Sequence, residues 1–166
     1  MAVSWLMGAT DEELKAGMSS FSGVYRRFNI HVNTSLVAYV DDYAHHPTEI
    51  KATLQAAKEL SYNNVIAVFQ PFTFSRTELL KDEFVEALSV ADKVILTPIM
   101  GSREVNTYGI SSEVIAEKLP NAVVIDGFQN IADYIIKTTK NGELVITMGG
   151  GDIYKAAHII ISEKKS

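Results

Sequence analysis

Two acids, two imidazoles and a proline occur together in the segment Asp41-Asp42-Tyr43-Ala44-His45-His46-Pro47, directly after an apolar run that ends at Val40. Carboxylates and imidazoles are the side chains that proteins most often use for proton transfer and metal binding. Proline is favoured in the first turn of a helix. We therefore expect these polar groups on a loop between a strand and a helix, which is where ligands bind in a parallel α/β sheet.

Asp42 and Arg27 suggest nucleotide chemistry, because a carboxylate accepts the protons of a ribose diol and a guanidinium matches phosphate oxygens. The alternative is that Arg26 and Arg27 are solvated hairpin residues that pair with Asp41 or Asp42. On residue type alone we favour this alternative, since exposed ion pairs are common and contribute little.

The two histidines have three alternative roles: they bind a metal, one acts as a general base, or they cap the helix that Pro47 begins. Adjacent side chains on a loop diverge, so joint binding of one ion is disfavoured. Residue type alone therefore favours capping or a surface position over metal ligation.

Arg76 is predicted near the N-terminus of a helix, where its positive charge opposes the helix dipole. An anionic ligand would explain this placement, since backbone N–H groups and the guanidinium would bind the same carboxylate or phosphate. The alternative is an ion pair with Glu78 or Asp82.

Gly149-Gly150-Gly151 permits close approach of backbone to a ligand, but a tight strand-to-helix turn explains the glycines equally well. The segment 103–106 adds a polar rim through Arg103 and Asn106.

The elements that position these residues follow from hydrophobic periodicity. A capping box at Thr10-Asp11-Glu12-Glu13 predicts a first helix, and a second box at Ser75-Arg76-Thr77-Glu78 gives Ser75 a structural role. Strands 27–32 and 36–41 predict a β-hairpin with its turn at 33–35. Helices and strands then alternate, with helices at 47–60, 76–90, 112–118, 129–140 and 152–162, and strands at 64–69, 93–98, 122–125 and 144–148. This order predicts an α/β, Rossmann-like doubly wound fold with a mostly parallel sheet and an N-terminal β-hairpin.

Composition narrows the functional classes. A length of 166 residues fits one domain, and 47% apolar with 21% charged residues is typical of a globular protein. The net charge of −5 argues against binding to nucleic-acid backbones, and the apolar runs are too short for a membrane helix, so we expect neither a nucleic acid nor a membrane partner. The chain has no cysteine, which excludes disulfides and thiolate chemistry.

Four segments, in this order, resemble the C-terminal domain of the Mur ligases, in the form that adds L-alanine to UDP-N-acetylmuramate: Arg26-Arg27-Phe28, Asp42 to Pro47, Phe69 to Thr77, and Gly149 to Ile153. The resemblance implies that residues 23–166 form this domain and that residues 1–22 are the tail of a central ATPase domain. It also implies a bacterial cytoplasmic enzyme in which ATP and Mg²⁺ activate the carboxylate of UDP-N-acetylmuramate for attack by L-alanine. The central and N-terminal domains would be its partners.

The resemblance also assigns roles to individual residues. It implies contacts with ATP from Arg27, Asp42 and Tyr43, and catalytic roles for His45 and Arg76. The substrate contacts that it implies come from His46, Thr73, Arg76, Gly150 and Asp152. Phe72 departs from the commonest pattern of the family, which has histidine there, and some relatives have arginine where Thr73 stands.

The chain has no G-x-x-x-x-G-K-[ST] phosphate-binding loop. We therefore expect it to fold but not to catalyse ligation alone, and we expect neither ATP nor Mg²⁺ to bind it tightly. Within the family, a murein-peptide recycling ligase is the alternative, although the segment 70–77 favours the alanine-adding form. Outside the family, the alternatives are a metal-dependent hydrolase that uses Asp41, Asp42, His45 and His46, and a non-catalytic nucleotide- or protein-binding module.

Overall fold

A computed structural model describes residues 2–21, 23–33 and 37–163 of the chain. Its strands are β1 (Asn29–Asn33), β2 (Val37–Asp42), β3 (Asn64–Phe69), β4 (Lys93–Leu96), β5 (Ala122–Val124) and β6 (Glu143–Met148). Its helices are α1 (Ala2–Leu6), α2 (Asp11–Ser20), α3 (Pro47–Lys58), α4 (Phe74–Leu79), α5 (Lys81–Leu88), α6 (Glu113–Ala116), α7 (Phe128–Thr138) and α8 (Tyr154–Glu163).

The strands form one six-stranded sheet in the order β1-β2-β6-β3-β4-β5. β1 pairs with β2 in antiparallel orientation and all other pairings are parallel, which confirms the predicted fold class and hairpin. The predicted turn lies partly at residues 34–36, outside the described residues. Met148 pairs with both Asp42 and Phe69, so β2, β6 and β3 end at the same level of the sheet.

Two hydrophobic layers cover the sheet. On one face, α3, α5 and α6 bury side chains such as Leu54, Phe84 and Ile115. On the other face, α7 and α8 bury Ile131 and Ile160 against β-strand residues. The continuous apolar strands of the sequence are thus buried on both sides, as expected for parallel strands between helices.

The helix predicted over 76–90 is two helices, which corrects the prediction. Leu80 separates them with φ −112° and ψ 19°, outside the helical region, and its N–H donates to the Arg76 carbonyl. The window contains no glycine or proline to signal a break. The break instead has a tertiary origin, because α4 is held by the loop at Glu104 whereas α5 packs against α3.

Ser75 does not cap a helix, contrary to the prediction, because it is the second residue of α4 and its Oγ donates to Glu104 Oε1 at 2.6 Å. The capping box at Thr10 and Glu13 is confirmed. Several predicted elements are shorter than expected: α3 ends at 58, β4 at 96, β5 at 124 and α7 at 138, α6 covers only 113–116, and α8 begins at 154.

Helices α1 and α2 differ from the rest of the fold because neither has a buried residue. Their large apolar side chains are exposed, including Trp5 and Leu6. Across the described part of the chain, no helix combines the length and the apolar character that a bilayer crossing requires.

Candidate functional site

The site lies at the edge where the parallel strands end. The loop after β6 leads to α8 on one face of the sheet, whereas the loops after its neighbours β2 and β3 lead to helices on the other face. Such a divergence of neighbouring loops leaves a crevice at the carboxyl ends of the strands. The turn before β1 reaches the same edge, because the Tyr43 N–H donates to the Arg26 carbonyl at 2.8 Å.

Arg26 is buried at this edge and ties several elements together. Its Nε donates to Asp41 Oδ2 at 3.2 Å, its Nη2 to the Gly149 carbonyl at 2.7 Å and its Nη1 to the Gly151 carbonyl at 3.1 Å. Asp41 also accepts a hydrogen bond from Thr147 Oγ1 at 3.0 Å. Burial raises the pKa of Asp41, and the Thr147 hydrogen bond and the Arg26 charge offset only part of this. The pairing with Asp41 is therefore confirmed, but the expected solvated position of Arg26 is wrong.

Arg27 is exposed, and its side chain forms no hydrogen bond or ion pair with the described residues. Its backbone N–H donates to the Val24 carbonyl at 3.1 Å. Its guanidinium carbon lies 5.5 Å from the centroid of the Tyr43 ring.

Asp42, by contrast, is only 6% exposed and closes the loop. Its Oδ2 accepts the Phe28 N–H at 2.6 Å and its Oδ1 accepts the Ala44 N–H at 2.7 Å. A carboxylate has about four acceptor positions, so each oxygen retains one for a ligand hydroxyl.

His45 and His46 have different environments. His45 Nδ1 lies 3.1 Å from the Tyr43 carbonyl oxygen and 3.4 Å from Glu49 Oε2. A proton on Nδ1 would satisfy these acceptors and leave Nε2 as the basic nitrogen. His46 caps α3, since its Nδ1 accepts the Thr48 N–H at 3.3 Å, which confirms the capping role for His46.

Glu49 completes the cap of α3. Its Oε2 accepts the N–H groups of His45 at 3.0 Å and of His46 at 3.4 Å. Burial alone would raise the pKa of Glu49, but these hydrogen bonds and the nearby charge of His45 outweigh burial and lower the pKa. Glu49 therefore remains ionised at neutral pH and holds the backbone of both histidines in place.

The glycine loop, Gly149-Gly150-Gly151, lies beside His45. A methyl group on Gly150 would lie 3.5 Å from His45 Cγ and 3.7 Å from Tyr43 Cζ. The structure therefore brings Gly150, His45 and Tyr43 together. Gly149 has φ 150° and lies against the Gln70 carbonyl, where only a small residue fits without strain.

Gln70 connects the end of β3 to the glycine loop. It is 5% exposed, and its Oε1 accepts the N–H groups of Asp152 at 2.9 Å and Ile153 at 3.2 Å. Its Nε2 donates to Asp152 Oδ1 at 3.1 Å, while Lys155 donates to Asp152 Oδ2 at 3.0 Å. Burial alone would raise the pKa of Asp152, but these two hydrogen bonds outweigh it and lower the pKa. Both oxygens of Asp152 thus already have a donor.

Thr73 has a strained backbone, with φ 66° and ψ 140°. Its N–H donates to the Met100 carbonyl at 2.9 Å, and its carbonyl accepts the Thr77 hydroxyl at 2.7 Å. A non-glycine residue in such a conformation costs about 1–3 kcal/mol and tends to occur at functional sites. The strain therefore supports a functional role for the turn that precedes α4.

Arg76 is the third residue of α4, and its Nη1 is buried without a hydrogen-bond partner among the described residues. The alternative ion pair with Glu78 or Asp82 is not observed, because both acids pair with lysines. Hydrogen bonds from Ser75 lower the pKa of Glu104, and the charge of Arg76 contributes to the same shift. The Arg76 guanidinium therefore has unused donors.

The outer part of the edge is more open. Arg103 is exposed, while Asn106 closes its own loop through two hydrogen bonds to the Ile110 backbone, at 2.9 and 3.2 Å. A cavity of about 230 Å³ lies beyond the ends of β3, β4 and β5. It is lined by Gln70, Thr97, Pro98, Ile99, Met100, Asp126, Gly127 and Phe128.

Three residues with roles in shaping this site were not predicted as site residues. Arg26, Gln70 and Glu104 make their hydrogen bonds to residues 123, 82 and 29 positions away, respectively. The sequence signals were the presence of Arg26 and Gln70 within segments that resemble the family motifs and the position of Glu104 in the polar rim at 103–106.

A self-contained metal centre is not present in the part of the chain that the structure describes, where no three His, Cys, Asp or Glu side chains converge. Asp41, which the hydrolase alternative requires as a ligand, is instead neutralised by Arg26. The arrangement as a whole offers exposed or unpaired guanidinium groups, one histidine with a free Nε2 and a glycine loop. These groups suit the binding of anions better than the ligation of a metal.

Comparison with known proteins adds independent information. The model of the family described as "Mur ligase, glutamate ligase domain" matches residues 26–151. The UDP-N-acetylmuramate–L-alanine ligase of Lachnospira eligens is 49% identical over 154 residues, which is 90% of this chain and 34% of that protein. The ligase of the same name from Acetivibrio thermocellus is 41% identical over 99% of this chain and 36% of its own length.

The crystal structure of the UDP-N-acetylmuramate–alanine ligase of Thermotoga maritima superimposes with a TM-score of 0.78 at 24% identity. The alignment covers 99% of this chain and 35% of that structure, which confirms the fold. The chain spans about a third of the length of the curated relatives that it matches.

Proposed function

Because the chain belongs to the Mur ligase family, we propose that it is the C-terminal domain of an ATP-dependent ligase that joins L-alanine to UDP-N-acetylmuramate. The observation that carries this proposal is the 40–49% identity, over nearly the whole chain, with ligases of that name. The geometry supports it, because the four motif segments meet at one edge of the sheet.

In the proposed reaction, the γ-phosphoryl group of ATP passes to the carboxylate of UDP-N-acetylmuramate and ADP leaves. The amine of L-alanine then attacks the acyl carbon, an amide bond forms, and phosphate leaves with the bonding electron pair. The attacking nitrogen must also lose a proton. Bound Mg²⁺ would supply Lewis-acid stabilisation of the phosphoryl oxygens.

The nucleotide side of the site is assigned to Arg27, Asp42 and Tyr43. The unpaired guanidinium of Arg27 fits a phosphoryl group, and its contact with the Tyr43 ring restricts its orientation. Asp42 has one remaining acceptor position on each oxygen, which fits the two hydroxyl groups of a ribose. Its low exposure means that the ribose must approach along the surface of the loop.

The acceptor side of the site is assigned to Arg76, Thr73, Gly150, Asp152 and His46, with His45 between the two sides. Arg76 would bind a substrate carboxylate or the transferred phosphoryl group, for which its unpaired donors are suited. His45, with a proton on Nδ1, would accept the proton of the attacking amine at Nε2. Asp152 and His46 would act indirectly, since the side chain of each already holds a local turn.

We further propose that residues 1–22 are the tail of a central ATPase domain and that residues 23–166 are the catalytic C-terminal domain. The absence of buried residues in α1 and α2 supports this division, because short helices gain most of their stability from packing. In the complete enzyme, closure of the domains would carry Arg27, His45 and Arg76 onto nucleotide bound elsewhere. UDP-N-acetylmuramate, L-alanine and the other two domains are the proposed partners, in the bacterial cytoplasm.

A coupled assay tests the proposal by following ADP release from ATP with UDP-N-acetylmuramate and L-alanine. We expect turnover with the full coding sequence that contains these residues and none with the 166-residue chain alone. Replacement of L-alanine by the murein tripeptide should abolish most turnover. Preference for the tripeptide would reassign the chain to a recycling ligase, and turnover by the chain alone would refute the proposed division into domains.

A further inference from the structure

We propose that Arg26 is a positioning residue of the ligase site, which orients the glycine loop so that the Gly150 N–H group is available to an oxyanion. This inference rests on the proposed function. The oxyanion would be the carboxylate of the amino acid or a phosphoryl oxygen of the nucleotide. Arg26 would not touch either group, because its own donors are directed into the fold.

The guanidinium of Arg26 is held on all sides. Its three donor nitrogens bind Asp41, Gly149 and Gly151, and its carbon lies 5.0 Å from the Tyr43 ring centroid and 4.7 Å from that of Tyr154. The planar fork of arginine makes such a bridge between two carbonyls possible, whereas the single ammonium of lysine does not match it. The side chain therefore fixes two of the three glycine carbonyls in space.

The orientation of Gly150 follows from peptide geometry. A trans peptide carries its C=O and the following N–H on opposite sides. The Gly149 carbonyl faces Arg26, so the Gly150 N–H must point away from it. The next bridged peptide shows the same geometry, because the Gly151 carbonyl faces Arg26 while the Asp152 N–H donates to Gln70 on the other side.

The Gly150 N–H has no acceptor among the described residues. Gly150 lies beside His45, the residue assigned to proton transfer. An unused, oriented backbone donor next to the proposed catalytic base is the arrangement expected of an oxyanion site. A loop that served only as a tight turn would not require both of its outer carbonyls to be fixed by one buried guanidinium.

The backbone of Arg26 also argues against a purely local role. It has φ 57°, in the left-handed region that non-glycine residues rarely adopt. A glycine would adopt this conformation without strain. The arginine side chain must therefore supply something that a glycine turn would lack, and its bonds to Gly149 and Gly151 are the only ones that reach the site.

The test compares Arg26→Lys with Val94→Ala in the ¹⁵N-labelled 166-residue chain. Val94 is buried in β4, which β3 separates from β6, so its truncation destabilises the core without altering the loop. We expect the backbone order parameter of Gly150 to fall from about 0.85 to below about 0.6 in Arg26→Lys and to stay unchanged in Val94→Ala. An unchanged value in a folded Arg26→Lys chain would overturn the proposal.

If Arg26→Lys does not fold, the wild-type chain decides the matter. Rotation about the Cζ–Nη bonds of Arg26 should be slow, so that its Nη protons give separate resonances at low temperature. Fast averaging of these protons would show that the bonds to Gly149 and Gly151 do not persist, and would equally overturn the proposal.

Kinetics with the full coding sequence identify the oxyanion. In Arg26→Lys, a rise of at least about ten-fold in KM for L-alanine would assign the carboxylate, and the same rise in KM for ATP would assign the phosphoryl group. Unchanged KM values with a lowered kcat would contradict an effect on ligand binding and reject the proposal. If the wild-type protein shows no ligase turnover while the order parameter of Gly150 still responds, the proposed function fails but the positioning of the loop stands.

Discussion

Gly150 and Gly151 are adjacent, yet the structure predicts different effects on stability when each is replaced by alanine. A methyl group on Gly151 would overlap Gln70 Oε1 and lie 2.5 Å from Met100 Sδ. Met100 can move because its side chain is flexible, but Gln70 is held by three hydrogen bonds to Asp152 and Ile153. The Gly150 methyl group would meet its nearest neighbour at 3.5 Å, an ordinary van der Waals distance.

The expected magnitude follows from the fate of Gln70. If its amide is displaced, buried donors and acceptors lose their partners, which costs about 1–3 kcal/mol. For a chain of this size, that loss corresponds to a decrease in Tm of about 2–12 °C, at about 2–4 °C per kcal/mol. Gly150→Ala should remain within about 0.5 kcal/mol of the wild type, as is usual for a substitution that breaks no contact.

Urea unfolding and thermal denaturation of the two variants measure the difference. A double-mutant cycle identifies its cause, because Gly151→Ala should cost much less in a Gln70→Ala background if the overlap with Gln70 is responsible. Equal stability of Gly150→Ala and Gly151→Ala would refute the reasoning. A full-sized cost of Gly151→Ala in the Gln70→Ala background would show that another contact determines the effect.

Three further perturbations have distinct expected results. Arg26→Ala should cost about 3–5 kcal/mol at pH 7, because Asp41 is left buried with an unpaired charge, whereas Arg27→Ala should change stability by less than about 0.5 kcal/mol. Since burial already raises the pKa of Asp41, the cost of Arg26→Ala should shrink as the pH falls and Asp41 becomes protonated, which urea titrations at pH 7 and pH 4.5 would detect. Arg76→Met should leave the free energy of unfolding within about 0.5 kcal/mol of the wild type. It should raise KM at least about ten-fold for the substrate whose carboxylate or phosphoryl group Arg76 binds, which is UDP-N-acetylmuramate, L-alanine or ATP. Unchanged KM values for all three would remove Arg76 from the site. Burial alone would raise the pKa of Asp92, but its hydrogen bonds outweigh burial and lower the pKa. Ionised Asp92 therefore stabilises the fold above the ordinary carboxyl pKa, and this contribution is lost as the pH falls through the depressed pKa. Asp92→Asn should consequently lose stability less steeply than the wild type as the pH falls, as measured by urea titrations across the acid range.

The fold was largely predictable from local patterns. The apolar runs of β3 and β6 are placed within one residue of their predicted bounds, because burial on both faces leaves a continuous signal. The break at Leu80 was not predictable, since it depends on how α4 and α5 contact different parts of the fold. Local sequence therefore specifies the elements, whereas the exact ends depend on tertiary contacts.

The site was predictable in location but not in its internal connections. The parallel direction of the strands brings the loops to one edge, and the alternation of strands and helices along the sequence indicates parallel strands. The choice between Arg26 and Arg27 was different, because adjacent residues of the same type have no local feature that distinguishes them. Contacts with Asp41 and with the distant carbonyls of Gly149 and Gly151 make Arg26 the buried member and leave Arg27 exposed.

All four arginines of this acidic chain lie at the edge where the parallel strands end. Arg26 alone is neutralised by a carboxylate, while Arg27, Arg76 and Arg103 have no ion pair among the described residues. Most lysines that the structure shows in ion pairs lie on the helices instead, where they join neighbouring elements. A protein with a net charge of −5 thus leaves three of its four guanidinium groups without an ion pair among the described residues. We expect anionic ligands to pair with these guanidinium groups on binding, which is the basis of the proposed phosphate and carboxylate contacts.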